Sequence, residues 1–143
     1  MASKHIDTLR GSHEAYNRRD FDSILKTLSN DSVYADRPRG LTIKGKTQFR
    51  EFLNGWAQGF SDGRITNPQY TDASDTVVAQ FTFEGTNDGP YQGLKATGRR
   101  VSIPICEIVR YDANGQAVSS NLYYDQYSIM TQLGHLKPLS AAA

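Results

Sequence analysis

Glu107 stands in a run that otherwise alternates like a half-buried strand, with Val101, Ile103, Ile105, Val109 and Tyr111 sharing its parity. A carboxylate on an apolar face needs a partner, a proton or a purpose. A second acid, Asp125, closes the next strand-like run, directly after Tyr123 and Tyr124. If both acids face one apolar pocket, one can hold a proton while the other is ionised. That division of labour suits proton abstraction next to a carbonyl group. Tyr16, Tyr34 and Trp56 each fall on the apolar side of their own segments and are candidate ligand contacts, although core packing uses the same faces. A tyrosine hydroxyl in such a place can polarise a substrate carbonyl.

The acids differ in what surrounds them. Asp125 shares its parity with Tyr123, Asn121 and Ser119, whereas Tyr124, Leu122 and Val118 form the more apolar set. Alternation alone therefore turns Asp125 away from a core. Glu107 is turned inward, where an arginine such as Arg99 or Arg64 is an alternative partner to a catalytic role.

Other chemistries find no support. His5, His13 and His135 have no metal-ligand spacing, and Cys106 is the chain's one cysteine, so neither a metal site nor an intrachain disulfide is expected. There is no nucleophile elbow and no phosphate-binding loop, and Gly85, Gly89, Gly93 and Gly98 do not make a dinucleotide fingerprint. No cofactor is expected. The pairs Arg37/Arg39, Lys44/Lys46 and Arg99/Arg100 read as solvated faces.

The elements that must position these residues follow from periodicity. Ile6, Leu9, His13 and Tyr16 recur at helical spacing. Asp20 is placed as an N-cap for a short helix carrying Phe21, Ile24, Leu25 and Leu28, which Ser29-Asn30-Asp31 ends. Val33-Tyr34-Ala35 is a short strand, and Asp36–Gly40 a loop. Phe49, Phe52, Leu53, Trp56 and Phe60 mark the longest amphipathic helix, starting near Lys46 or Thr47. From Arg64 onward the pattern is β, and Arg64–Tyr70 is a strand weakened or bulged at Pro68. Val77, Ala79, Phe81 and Phe83 alternate, and Asp112-Ala113-Asn114-Gly115 turns a long hairpin. Pro104 inside that hairpin demands an edge or a bulge. A helical turn over residues 126–134 and a disordered tail from His135 complete the chain.

With 143 residues the chain suits a single domain with a sizeable core, ordered over roughly residues 4–134. Helices followed by a run of strands predict an α+β fold. The balance of 16 Lys+Arg against 15 Asp+Glu calls for neither nucleic acid nor an anionic membrane as partner. No apolar leader or membrane-length run is visible, which predicts a cytoplasmic protein.

Several of these features, in order, resemble the SnoaL-like polyketide cyclase family of the nuclear transport factor 2-like (NTF2-like) superfamily. They are Tyr16-Asn17 followed by Asp20, Gly45 before the long helix, Phe83-x-Gly85-Thr86, Thr97-Gly98-Arg99, the turn with Gly115, and Asp125 followed by Gln132-Leu133-Gly134. The resemblance implies a cone: three N-terminal helices packed in a strongly curved antiparallel sheet around a deep apolar pocket. It further implies an intramolecular aldol ring closure, with an aspartate near the end of the last strand as acid/base. Asp125 matches that position, which brings Asn121 and Tyr123 into the pocket with it. The chain departs from the family where Asn87 follows the Gly-Thr pair in place of histidine, and where Asn121 replaces a tryptophan. The expected function is a cofactor-free cyclase or isomerase acting on an apolar carbonyl compound through Asp125 and Glu107. The alternatives are a binding protein for a small hydrophobic ligand and a dimeric interaction domain. A homodimer is expected through the sheet's outer face, at Tyr124, Leu122, Ile108 and Cys106.

Overall fold

A computed structural model describes residues 3–139. Helix α1 (Lys4–Asn17) opens under the Ser3 hydroxyl, which accepts a hydrogen bond from the Ile6 amide at 3.3 Å. It buries Leu9, His13, Ala15 and Tyr16, the face expected from their spacing. Arg19 at φ 62° reverses the chain. Asp20 then caps α2 (Phe21–Leu25) by accepting from the Ser23 amide at 3.3 Å. Leu28 begins strand β1 (Leu28–Asp36), so Ser29-Asn30-Asp31 lies within a strand. A tight turn leads into the short β2 (Leu41–Lys44), a strand that periodicity did not mark. Helix α3 (Gly45–Gly59) starts at Gly45, whose φ of 75° lets the chain swing from strand to helix, and buries Phe49, Leu53 and Trp56.

Strands β3 (Arg64–Ala73), β4 (Thr76–Thr86), β5 (Arg100–Tyr111) and β6 (Ala117–Tyr124) follow, and α4 (Gln126–Leu133) ends the ordered elements. Gly134 stops α4 at φ 89°. Part of the expected disordered tail is bonded back onto α4, with the His135 amide donating to Met130 O at 2.9 Å and the Tyr127 hydroxyl to Lys137 O at 2.8 Å. Residues 140–143 of that tail lie outside the described residues.

All six strands form one curved sheet in the order β2-β1-β6-β5-β4-β3. The expectation of an antiparallel sheet needs one correction, because β1 runs parallel to β6 and the sheet is mixed. The register of β3 against β4 shifts between Thr66 and Gln69, so the bulge at Pro68 is present, on an edge strand. Pro104 needs no bulge. Its pairing with Thr82 of β4 is regular, and the ladder between β5 and β6 begins at the next residue, Ile105, so Pro104 has no neighbour on that side.

Helix α1 packs on β3 and β4, α3 on β1 and β2, α2 bridges α1 and α3, and α4 closes against β5. The concave face of the sheet supplies Val77, Ala79, Phe81 and Phe83 from β4, alternate residues from Val101 to Tyr111 of β5, and Leu122 of β6. Asn87, fully buried, pins the loop after β4 by donating to Gly59 O and Gly89 O at 3.0 and 2.9 Å and accepting from the Thr97 amide at 2.8 Å. Among the described residues no helix is long and apolar enough to cross a membrane.

Candidate active site

A cavity of about 100 Å³ lies between the helices and the concave face of the sheet. Its wall is apolar and aromatic: Leu9 and Tyr16 of α1, Phe49, Phe52, Leu53 and Trp56 of α3, Phe81 and Phe83 of β4, Ile105, Val109 and Tyr111 of β5, and Leu122 of β6. Into this wall project one carboxylate, Glu107, and one imidazole, His13.

The two meet. His13 Nε2 lies 2.9 Å from Glu107 Oε1, and the Tyr34 hydroxyl donates to Glu107 Oε2 at 2.6 Å. On the other side of the ring, His13 Nδ1 lies 2.7 Å from the Tyr70 hydroxyl. A carboxylate only accepts, so Nε2 carries a hydrogen. The four side chains form one continuous line, from half-buried Tyr70 to buried Tyr34. Burial pushes the Glu107 carboxyl up, but the His13 and Tyr34 hydrogen bonds, together with the imidazole's charge, outweigh it and hold the group below its ordinary value. Burial, with the Glu107 charge beside it, raises Tyr34 well above the usual phenol range, so Tyr34 stays a donor. Tyr16 is pushed up to about 12 by burial, against the opposing charge of Arg19. Its hydroxyl is buried on the cavity wall with no hydrogen-bond partner among the described residues.

The expected site residues therefore separate. Glu107, Tyr16, Tyr34 and Trp56 come together around the cavity. Glu107 pairs with His13, not with Arg99 or Arg64. Asp125 lies outside: it is exposed and is the N-cap of α4, accepting from the Ser128 amide at 3.2 Å. Asn121 accepts from Arg37 Nε at 2.8 Å on the outer face, and Tyr123 is 43 % exposed there. Pleating explains all three, since residues of this parity on β6 point away from the face that carries Ser120 and Leu122.

Sequence reasoning missed His13 as a partner, although its place on the apolar face of α1 was legible. The signal was a second polar side chain on a buried face with no mate nearby in sequence. It also missed a second buried acid. Asp36 is wholly inaccessible, accepts from the Tyr124 hydroxyl at 2.9 and 3.0 Å, and is paired with Arg39 Nε at 2.7 Å. Arg39 is thus no solvated side chain: it is 19 % exposed, and its guanidinium lies over Phe52 and Trp56 at 5.5 and 5.6 Å from the ring centres.

The comparisons with known proteins agree with this architecture. The family model for SnoaL-like polyketide cyclases matches residues 6–133. Among solved structures, a proposed SnoaL-like polyketide cyclase from Jannaschia sp. CCS1 superposes with a TM-score of 0.85 at 20 % identity, covering 97 % of this chain and 99 % of its own. AclR, a proposed hydroxylase from Streptomyces galilaeus, gives 0.83 at 22 % identity, covering 97 % of this chain and 86 % of its own. TsrD from Streptomyces laurentii gives 0.82 at 24 % identity, covering 95 % and 99 %. No curated protein matches. At these identities the superpositions speak for a shared NTF2-like cone, and the match of the family model over nearly the whole length places the chain in the SnoaL-like polyketide cyclase family.

Proposed function

We propose that this protein is an acid–base enzyme of the cyclase and isomerase kind, acting on a small apolar carbonyl compound. The observation that carries the reading is Glu107, a carboxyl group on an apolar cavity wall, held by His13 and Tyr34, on a wall that also carries the Tyr16 hydroxyl, which has no hydrogen-bond partner among the described residues. In this scheme Glu107 takes a proton from the carbon next to the carbonyl, and Tyr16 donates a hydrogen bond to the oxygen as it becomes an enolate. In an isomerisation, Glu107 returns the proton to another carbon of the same system. In a ring closure, the enolate carbon attacks a second carbonyl of the same molecule and the new alkoxide takes the proton from Glu107. Both are internal rearrangements that balance without a further reactant. The line His13–Tyr70 gives the buried acid a hydrogen-bonded route toward the surface.

One observation favours a second reading, a binding protein without chemistry: both oxygens of Glu107 already accept a hydrogen bond. Two lone-pair positions of the carboxylate remain, since an ionised carboxylate offers about four. Cavity size limits the ligand in either case. A void of about 150 Å³ holds a benzene ring, so the group that enters this one of about 100 Å³ is small.

Hydrogen–deuterium exchange separates the readings. Acetone, butanone and pentane-2,4-dione are incubated with the protein in deuterium oxide, and loss of the α-proton signals is followed by NMR. Saturable acceleration over buffer is expected. Binding without acceleration would sink the enzyme reading.

The proposed partner is a second copy of the chain. The outer face of the sheet carries the exposed Val33 and Tyr123, at 37 % and 43 %, beside the half-buried Cys106 and Ile108. Leu122 and Tyr124, expected on this face, point inward instead: Leu122 lines the cavity and Tyr124 reaches Asp36. Light scattering at micromolar concentration should give a dimer mass, and Tyr123→Glu should give a monomer. A monomer mass for the unaltered protein would count against the dimer.

A further inference from the structure

The arginine over the aromatic wall has more donors than its partner uses. Asp36 engages the Nε of Arg39 at 2.7 Å and its backbone amide at 3.3 Å. The two terminal nitrogens of the guanidinium make no hydrogen bond among the described residues, and the side chain still reaches solvent at 19 % exposure. A turn clamp between residues three apart would account for the Nε contact alone. It does not account for a guanidinium carbon 5.5 and 5.6 Å from the ring centres of Phe52 and Trp56, two residues that also line the cavity.

We propose that Arg39 anchors a carboxylate on the ligand, so that the molecule this protein takes is a small apolar acid whose other end enters the cavity. The free edge of a guanidinium is a planar fork that matches a carboxylate with two parallel hydrogen bonds. Asp36 is the positioning residue: buried and already bonded to Tyr124, it holds the guanidinium by Nε and leaves the two terminal nitrogens to the ligand. The same acid sets the ligand's charge. Asp36 and Arg39 together are neutral, so a singly charged carboxylate is accepted, whereas a phosphate dianion would meet the Asp36 charge at close range. The small cavity fits this arrangement, because only the neutral end of the ligand has to enter it. The body of the ligand lies along the Phe52 and Trp56 rings. The inference concerns equilibrium binding and does not depend on whether Glu107 moves a proton.

The test compares pentanoate with pentanamide, titrated against the fluorescence of Trp56, the one tryptophan of the chain. The acid should bind more tightly than the amide by about 10- to 150-fold, the value of a charge-assisted hydrogen bond. Arg39→Gln should bring the acid down to the amide and leave the amide unchanged, with Gln still able to donate toward Asp36. Thermal melting checks that this variant is folded. If it is not, Arg39→Lys keeps the charge beside Asp36 but lacks the fork, and should lose most of the preference. Equal binding of acid and amide to the unaltered protein, failure of the acid to saturate, or an acid preference that survives both substitutions would overturn the proposal. Absence of α-proton exchange leaves it standing.

Discussion

Glu107→Gln should slow α-proton exchange by about 100- to 10,000-fold, the usual contribution of a positioned general base. The substitution is close to isosteric. The amide oxygen still accepts from Tyr34, and the His13 ring can offer either a donor or an acceptor to the other end, so the fold and ketone binding are expected to persist. What is lost is basicity. Asp125→Asn is the matched control, because its carboxylate caps α4 on the exposed side of the sheet. It should leave exchange unchanged and cost at most the stability of one helix cap, about 0.5–2 kcal/mol for full removal of the side chain. Exchange that falls in the Asp125 variant and persists in the Glu107 variant would reverse the assignment.

His13→Ala should cost about 3–5 kcal/mol of stability at neutral pH, measured by urea unfolding. The loss comes from stranding Glu107, which is buried and would keep only the Tyr34 bond. The sign of the pH dependence distinguishes this from a packing defect. In the unaltered protein Glu107 is held below its ordinary value. Its contribution is therefore complete above about pH 4.3, the unfolded glutamate value, and is lost only as pH falls below that. Without His13, burial acts nearly unopposed and lifts the Glu107 value above the unfolded one. The variant's penalty is then relieved by protonation as pH falls. The gap between the two proteins should be widest near neutrality and narrow toward pH 4. A gap that stays constant over that range would mean that His13 contributes packing alone. Replacing the whole cluster, as His13→Leu/Glu107→Met/Tyr34→Phe, should recover most of the stability, since well-packed apolar groups commonly match a buried ion pair.

How far the site was legible depended on distance along the chain. The inward turn of Glu107 followed from alternation within one strand, and the outward turn of Asp125, Asn121 and Tyr123 followed from the same rule on the next. Resemblance to a family argued the other way for Asp125. The pleat decided, because side-chain direction on a strand is fixed by the residues immediately around it. The N-cap at Asp20 and the register shift around Pro68 were likewise local. What could not be read were partners brought from afar. His13 meets Glu107 across 94 positions, and Tyr124 meets Asp36 across 88. A stretch with Asp36, Pro38 and two arginines reads as an exposed loop until β6 is laid beside it. The parallel pairing of β1 with β6 was hidden for the same reason, since strand pattern announces a strand but not its neighbour.

That parallel pairing also governs the order in which the molecule can be built. The β1–β2 hairpin joins the rest of the sheet through β6, the last strand, and through nothing else. During synthesis β1 leaves the ribosome early and waits with an open edge until residues 117–124 have emerged. The entropy of closing so long a loop is met before any contact between the two strands repays it, so this pairing is the expected slow step of folding. Tyr34 travels on β1, whereas its acceptor Glu107 travels on β5. The hydrogen bond that completes the Glu107 site therefore forms only when the end of the chain returns to its beginning, and a nascent or truncated chain carries the acid without its donor.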